Sequence, residues 1–192
     1  MLYLILIIVL LAVIAAGIMN RSQDKEIAKI LDNGQPKPEV TREWLLENTE
    51  IGGLLKFFLF CVVVGCFAAA VREMAAFGTP FVAVAYVPFI LLAIITVIAF
   101  ARRDRDAVFL AKAYMIICLV TNLMSLLAGI EAATVIAIGV NILWLLFLIF
   151  SENVNDVCPV EYRKTSIRGW VLVGLFVLAE LAIIAYFASL AI

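Results

Sequence analysis

Histidine is absent from all 192 residues of the chain. That absence removes bis-imidazole haem, histidine-ligated zinc or di-iron centres, and every Ser-His or Cys-His catalytic pair. Charge is scarce as well. Asp, Glu, Lys and Arg make up 15% of the residues, against about 25% in soluble domains. The formal net charge of -1 leaves no large basic surface for phosphates, so no nucleic-acid partner is expected. Cysteine is limited to Cys61, Cys66, Cys118 and Cys158, with no C-x-x-C pair. Cys61 and Cys66 would point ~140° apart on a helix turning 100° per residue, and apolar packing is their expected role. No G-x-x-x-x-G-K phosphate loop occurs either. The chain therefore reads as a non-enzymatic protein with no cofactor and no metal.

What the chain has in excess is apolar surface. Apolar residues reach 66% and the mean hydropathy is +1.16, far above the ~45–50% apolar share of soluble domains. A soluble fold of this length could not hide so much of it. The class expected is all-α: a polytopic membrane protein with six transmembrane helices.

The hydrophilic stretch Ala101 to Asp106, ARRDRD, interrupts an almost uncharged run from Leu54 to Phe150. Each such charge costs roughly 2.5–3.5 kcal/mol at the centre of a membrane helix, so this break is expected in water between two spans. Met1 to Met19 forms the first span, and residues 20–53 form a cytoplasmic connector. Within that connector, Thr41 is a good N-cap for a short helix whose Trp44 and Leu45 could lie on the membrane surface. Residues 54–150 hold a four-helix core, with spans at Leu54 to Ala76, Phe81 to Phe100, Ala107 to Gly129 and Ala132 to Phe150. Pro88 is expected to kink the second of these four. Residues 151–169 form a second polar loop, and Trp170 to Ile192 is the sixth span.

Orientation follows from the basic residues. Of the 14 lysines and arginines, all but Arg72 fall in or beside the loops after the first, third and fifth spans. The positive-inside rule then places those loops in the cytoplasm and both termini outside.

Polar groups inside the spans are the candidate functional residues. Glu180 would sit ~15 Å deep, near the middle of a ~30 Å hydrocarbon core. Asn141 lies at a similar level on the fifth span and is its expected hydrogen-bond partner. Ala133, Ala137 and Asn141 recur at intervals of four, which suits close helix approach. Thr121, Asn122 and Ser125 are expected to bond between helices. Arg72 and Glu131 form an expected pair at the outer interface. On the sixth helix, the Ala182 and Ala185 side is the expected contact for a second protein chain.

Two further stretches carry a resemblance. Ile51-Gly52-Gly53-Leu54-Leu55 opens the second span, and Trp144, Phe147, Ser151 and Val154 mark the exit of the fifth. The chain resembles a family of uncharacterised four-span bacterial membrane proteins. Its members begin with an Ile-Gly-Gly-Trp-Leu-like segment and end with a Trp, an aromatic, a Ser and an Arg-Val pair. Leu54 stands here in place of that Trp, Asn153 in place of the Arg, and Cys158 in place of a usual Phe. The resemblance covers Ile51 to about Lys164. It implies a four-helix core with one added helix at each end, a bacterial cytoplasmic membrane location, and no assigned activity.

Three functions remain open at this stage. The first is a non-catalytic integral membrane subunit or scaffold acting through a protein partner. The second is a small-molecule or ion transporter subunit, in the manner of energy-coupled vitamin importers, although those usually keep both termini inside. The third is an oligomeric channel or membrane-permeabilising effector with Asn122, Asn141 and Glu180 facing a pore. Partners common to all three are the lipid bilayer and a further membrane chain.

Overall fold

The structure, a computed structural model, describes residues 40–77, 84–128, 132–163 and 165–190. Its elements are all helices: α1 (Arg42–Asn48), α2 (Gly53–Phe77), α3 (Val87–Ala101), α4 (Ala107–Ala128), α5 (Ala132–Phe150), α6 (Glu152–Val157) and α7 (Ile167–Leu190). Three stretches are long and apolar enough to cross a membrane: Gly53–Arg72, Val84–Ala101 and Ala132–Phe150. The apolar stretch Ala107–Leu123 of α4 is shorter. The expected first span, and the connector as far as Glu39, lie outside the described residues.

Helix α4 is the centre of the bundle. It packs most extensively against α5 and also against α3 and α7, while α2 packs on α3. Every residue from Ala107 to Ile117 is buried, around the full circumference of three helical turns. Ala107, Ala111 and Ala113 are small enough to admit neighbouring helices closely. A helix surrounded in this way needs apolar residues on all faces, and this one has them with the exception of Lys112 and the Tyr114 hydroxyl.

Aromatic contacts join the outer helices to one another and to this centre. Phe58 of α2 lies 5.1 Å from Trp144 and 6.1 Å from Phe147 of α5, measured between ring centroids. Phe89 of α3 meets Phe176 of α7 edge-on at 5.1 Å. Trp170, near the start of α7, stacks at 4.9 Å on Phe109 of α4. Each pair contributes ~0.5–1.5 kcal/mol beyond its buried area. By contrast, α5 buries only Thr134 and Leu148, and leaves Ile136, Leu143 and Phe150 widely exposed. That surface is apolar because hydrocarbon can take the place of protein there.

Several expectations need correction. Pro88 does not kink α3. It sits in the first turn, where a missing N–H breaks no helical bond, and residues 84–86 before it form a short 3-10 turn. The loop over 151–169 contains α6, and α7 starts at Ile167 instead of Trp170. The ARRDRD break does not lie wholly in water either, because Arg103 within it is buried.

Candidate functional site

The polar groups of the described chain gather at one end of the bundle, around the turn from α3 to α4. Helix α3 ends in a two-bond cap: Arg103 N–H donates to Phe100 O at 3.1 Å, and Asp104 N–H to Ala99 O at 2.8 Å. This Schellman pattern places Arg103 in the left-handed region, with φ at 53°. Glycine usually takes that position, since a side chain there costs roughly 1–2 kcal/mol. The Arg103 side chain supplies the compensation. Its Nη2 donates to Thr49 O at 2.8 Å, its Nε to Thr49 Oγ1 at 3.3 Å, and its Nη1 to Phe100 O at 3.0 Å. One guanidinium, only 5% exposed, thereby ties the α3 terminus to the end of α1.

A second fastening holds α7. The Asp106 carboxylate accepts from the Ser166 backbone N–H at 2.6 Å and from the Ser166 hydroxyl. Ser166 is the N-cap of α7, and its Oγ accepts in turn from Gly169 N–H at 3.3 Å. A carboxylate at a helix N-terminus is electrostatically favoured. Close approach is essential here: a Cβ on Gly169 would meet Asp106 Oδ1 at 3.1 Å and Phe109 Cδ1 at 3.2 Å. The segment between α6 and α7 is held by Arg163, 6% exposed, whose Nε donates to Cys158 O at 2.6 Å and whose Nη2 donates to Asn155 Oδ1. Burial pushes the Cys158 thiol up to about 11, although the charges of Arg163 and Arg103 act to lower it. At neutral pH this cysteine is a protonated, inert packing group.

Helix α1 completes the cap. Thr41 Oγ1 accepts from Trp44 N–H at 3.2 Å. Leu45, expected on the membrane surface, is fully buried against the bundle, while Trp44 and Leu46 are exposed. Consecutive helical positions point ~100° apart, so the three cannot share one face.

The intramembrane candidates fare differently. Glu180 Oε1 is buried and has no hydrogen-bond partner among the described residues, so the expected bond to Asn141 is not formed. Its helix α7 packs on α3 and α4, whereas Asn141 is half-buried on α5. Thr121 and Ser125 do not bond between helices. Their hydroxyls donate to Ile117 O at 2.9 Å and Thr121 O at 3.1 Å, one turn back on their own helix. Asn122 is half-buried on the same helix. Glu131, and with it the Arg72–Glu131 pair, lies outside the described residues. Ala182 is exposed, while the side chain of Ala185 lies outside the described residues.

Two groups escaped the sequence reading. Tyr114 Oη and Cys66 Sγ share a hydrogen bond at 2.6 Å, joining α4 to α2 deep in the bundle. Lys112, counted only as a helix flank, is buried. A lysine and a tyrosine two residues apart in an apolar helix were the available signal, because lipid disfavours both and each must turn inward.

Chemically, the cap is a set of fasteners. Among the described residues no three Cys, Asp or Glu side chains gather to hold a metal ion. No family model matches the chain, and no curated protein or solved structure matches it significantly. The start of α2 and the exit of α5 meet in space. The Phe57 and Phe58 rings lie against Trp144, and a Cβ on Gly52 would come within 3.0 Å of Asn153 Oδ1.

Two measurements check the cap. Arg103→Gly relieves the left-handed backbone but removes charge-assisted bonds worth about 1.5–3 kcal/mol each. The variant is expected to be less stable than wild type by roughly 2 kcal/mol, and Arg103→Ala by about 1 kcal/mol more. Thermal unfolding in detergent reads this order, and a stabilised Arg103→Gly would show that the side chain contributes nothing. Gly169→Ala is expected to cost about 1–3 kcal/mol through overpacking. Gly174→Ala, with nothing within 4 Å of its Cβ, should gain up to about 1 kcal/mol.

Proposed function

We propose that the chain is a non-catalytic integral membrane subunit, a scaffold that acts through a protein partner in the same membrane. In this reading α4 and α7 cross the bilayer alongside the three longer apolar helices, and Met1 to Met19 makes a sixth span. The core of residues 54–150 is then flanked by one helix on each side. The cap faces the cytoplasm with both termini outside, as the distribution of lysine and arginine favours.

One observation carries the scaffold reading: three ionisable side chains at the centre of the cap are engaged in holding the fold. Arg103, Asp106 and Arg163 bond to backbone groups and to neighbouring Thr, Ser and Asn side chains. Rigid fastening of this kind suits a platform better than a catalytic centre, whose groups must be free to meet a substrate. Helix α5, seated mainly on α4 and apolar on its open side, offers the partner a surface. The exposed Ala182 side of α7 offers another.

The transporter reading keeps one observation in its favour, the buried and unpartnered Glu180 Oε1. Carboxyl groups inside a membrane commonly mark ion or proton paths.

A photo-crosslinking residue placed at Ile136 or Leu143 should capture a specific protein in intact cells, and the same chain should co-purify in mild detergent. Lipid adducts alone, together with a monomer that retains a small molecule, would favour transport instead. Orientation is checked separately with a membrane-impermeant thiol reagent. Glu152→Cys, at an exposed cap position, should resist labelling in intact cells and react after lysis, whereas Gly78→Cys should react in both. The reverse pattern would invert the topology.

A further inference from the structure

Three arginines stand at one edge of the cap with no carboxylate paired to them among the described residues. Arg42, the first residue of α1, donates from Nε to Arg102 O at 2.7 Å, which joins two exposed positions far apart in sequence. Arg105 lies on the same turn as Arg102, and its guanidinium carbon is 5.3 Å from the centre of the Tyr162 ring. The charges of both Arg105 and Arg42 reach that tyrosine. Like charges gathered in this way repel one another, and more strongly where hydrocarbon lowers the local dielectric.

Of the nearby acids, Asp106 is bonded to Ser166. Among the described residues, Arg42, Arg102 and Arg105 make no ion pair. Among the described residues the cluster therefore keeps guanidinium donors that no carboxylate meets.

Its position in the fold identifies the missing anion. Arg102 ends α3, a helix long enough to cross the membrane, so the cluster lies where hydrocarbon gives way to headgroups. Val87, Leu91, Ile94 and Ile98 of α3 are exposed. At ~100° per residue they form one stripe that runs along the helix to Arg102. Exposed Trp44, on the same short helix as Arg42, is of the residue type enriched in that interfacial layer. A free phosphate would need only the arginines. An apolar track leading into them fits a molecule that carries an acyl chain.

We propose that Arg42, Arg102 and Arg105 bind the phosphate of an anionic phospholipid, with an acyl chain lying along the Val87–Ile98 stripe of α3. The planar guanidinium fork suits a phosphodiester oxygen pair, and basic pockets at this depth are suited to anionic headgroups. The inference rests on α3 crossing a bilayer, which is part of the membrane reading above.

The test uses the full chain in nanodiscs of phosphatidylcholine doped with phosphatidylglycerol. Lipid retained after transfer to detergent is measured by native mass spectrometry. Phosphatidylglycerol should be retained in preference to phosphatidylcholine, and excess inorganic phosphate should not displace it. The double variant Arg102→Gln, Arg105→Gln should lose this retention by about tenfold. Arg168→Gln, which removes an exposed arginine outside the cluster, should retain it. Thermal unfolding of both variants confirms that they remain folded. Equal retention of the two lipids, equal loss in Arg168→Gln, or displacement by inorganic phosphate would each overturn the site. Failure of the chain to enter a bilayer at all would overturn the membrane reading, and the lipid site with it.

Discussion

The turn between α3 and α4 has to satisfy the buried backbone groups at the end of α3, and the rest of the bundle depends on it. Helix α4 is enclosed from its first residue, Ala107. The preceding helix terminus is therefore brought under cover, where an unpaired backbone carbonyl is costly. The chain solves this with a left-handed residue whose side chain also serves as an acceptor-seeking tether. Glycine at position 103 would close the turn with less backbone strain, yet it could not reach Thr49. An arginine accepts the strained φ and connects three segments at once: α3, the turn, and the end of α1. Asp106, three residues on, does the equivalent for α7 through Ser166. Both ends of the ARRDRD stretch thus anchor helices that are distant in sequence.

This tight end contrasts with the other. Along α4, full burial stops after Ile117, and Thr121 and Ser125 are exposed and bonded to their own helix. That local bonding is what a hydroxyl does when no neighbouring helix is close enough to receive it. Thr96 on α3 behaves likewise, donating to Leu92 O at 2.8 Å. Tyr114 is the exception, because Cys66 on α2 comes within reach. The bundle is fastened by polar contacts at the cap and by apolar packing beyond it.

How much of this was legible follows from what hydropathy measures. Run lengths and breaks located α2, α4, α5 and α7 to within a few residues, because desolvation dictates where charges must sit, and they missed the short α6. They could not say which helix would become the centre. The centre is α4, whose apolar stretch is shorter than those of α2, α3 and α5. In a membrane the less apolar helix gains most from being surrounded by the others, so ranking by hydrophobicity inverts the order of burial. The pairing of Glu180 with Asn141 failed for a related reason. Counting put the two residues at one depth, but the neighbours of α7 are α3 and α4, and depth alone carries no information about which helices touch. Pro88 was misjudged because it falls in the first turn of α3, which starts at Val87, and a proline is disruptive only past the first turn.

Charge counting has the same limitation at the cap. The positive-inside rule treats every lysine and arginine as one unit of bias towards the cytoplasm. The structure divides the arginines by task. Arg103 and Arg163 are buried and consumed by backbone and side-chain acceptors. Arg42, Arg102 and Arg105 stay at the rim, and Arg42 donates from its Nε to Arg102 O. A rule based on net position is silent about this division, since it depends on which side of a turn each residue faces. Arg102 and Arg103 are adjacent, yet the left-handed φ between them sends one guanidinium inward and leaves the other exposed. A single backbone angle therefore separates the charge that holds the fold from the charge that remains available to the membrane.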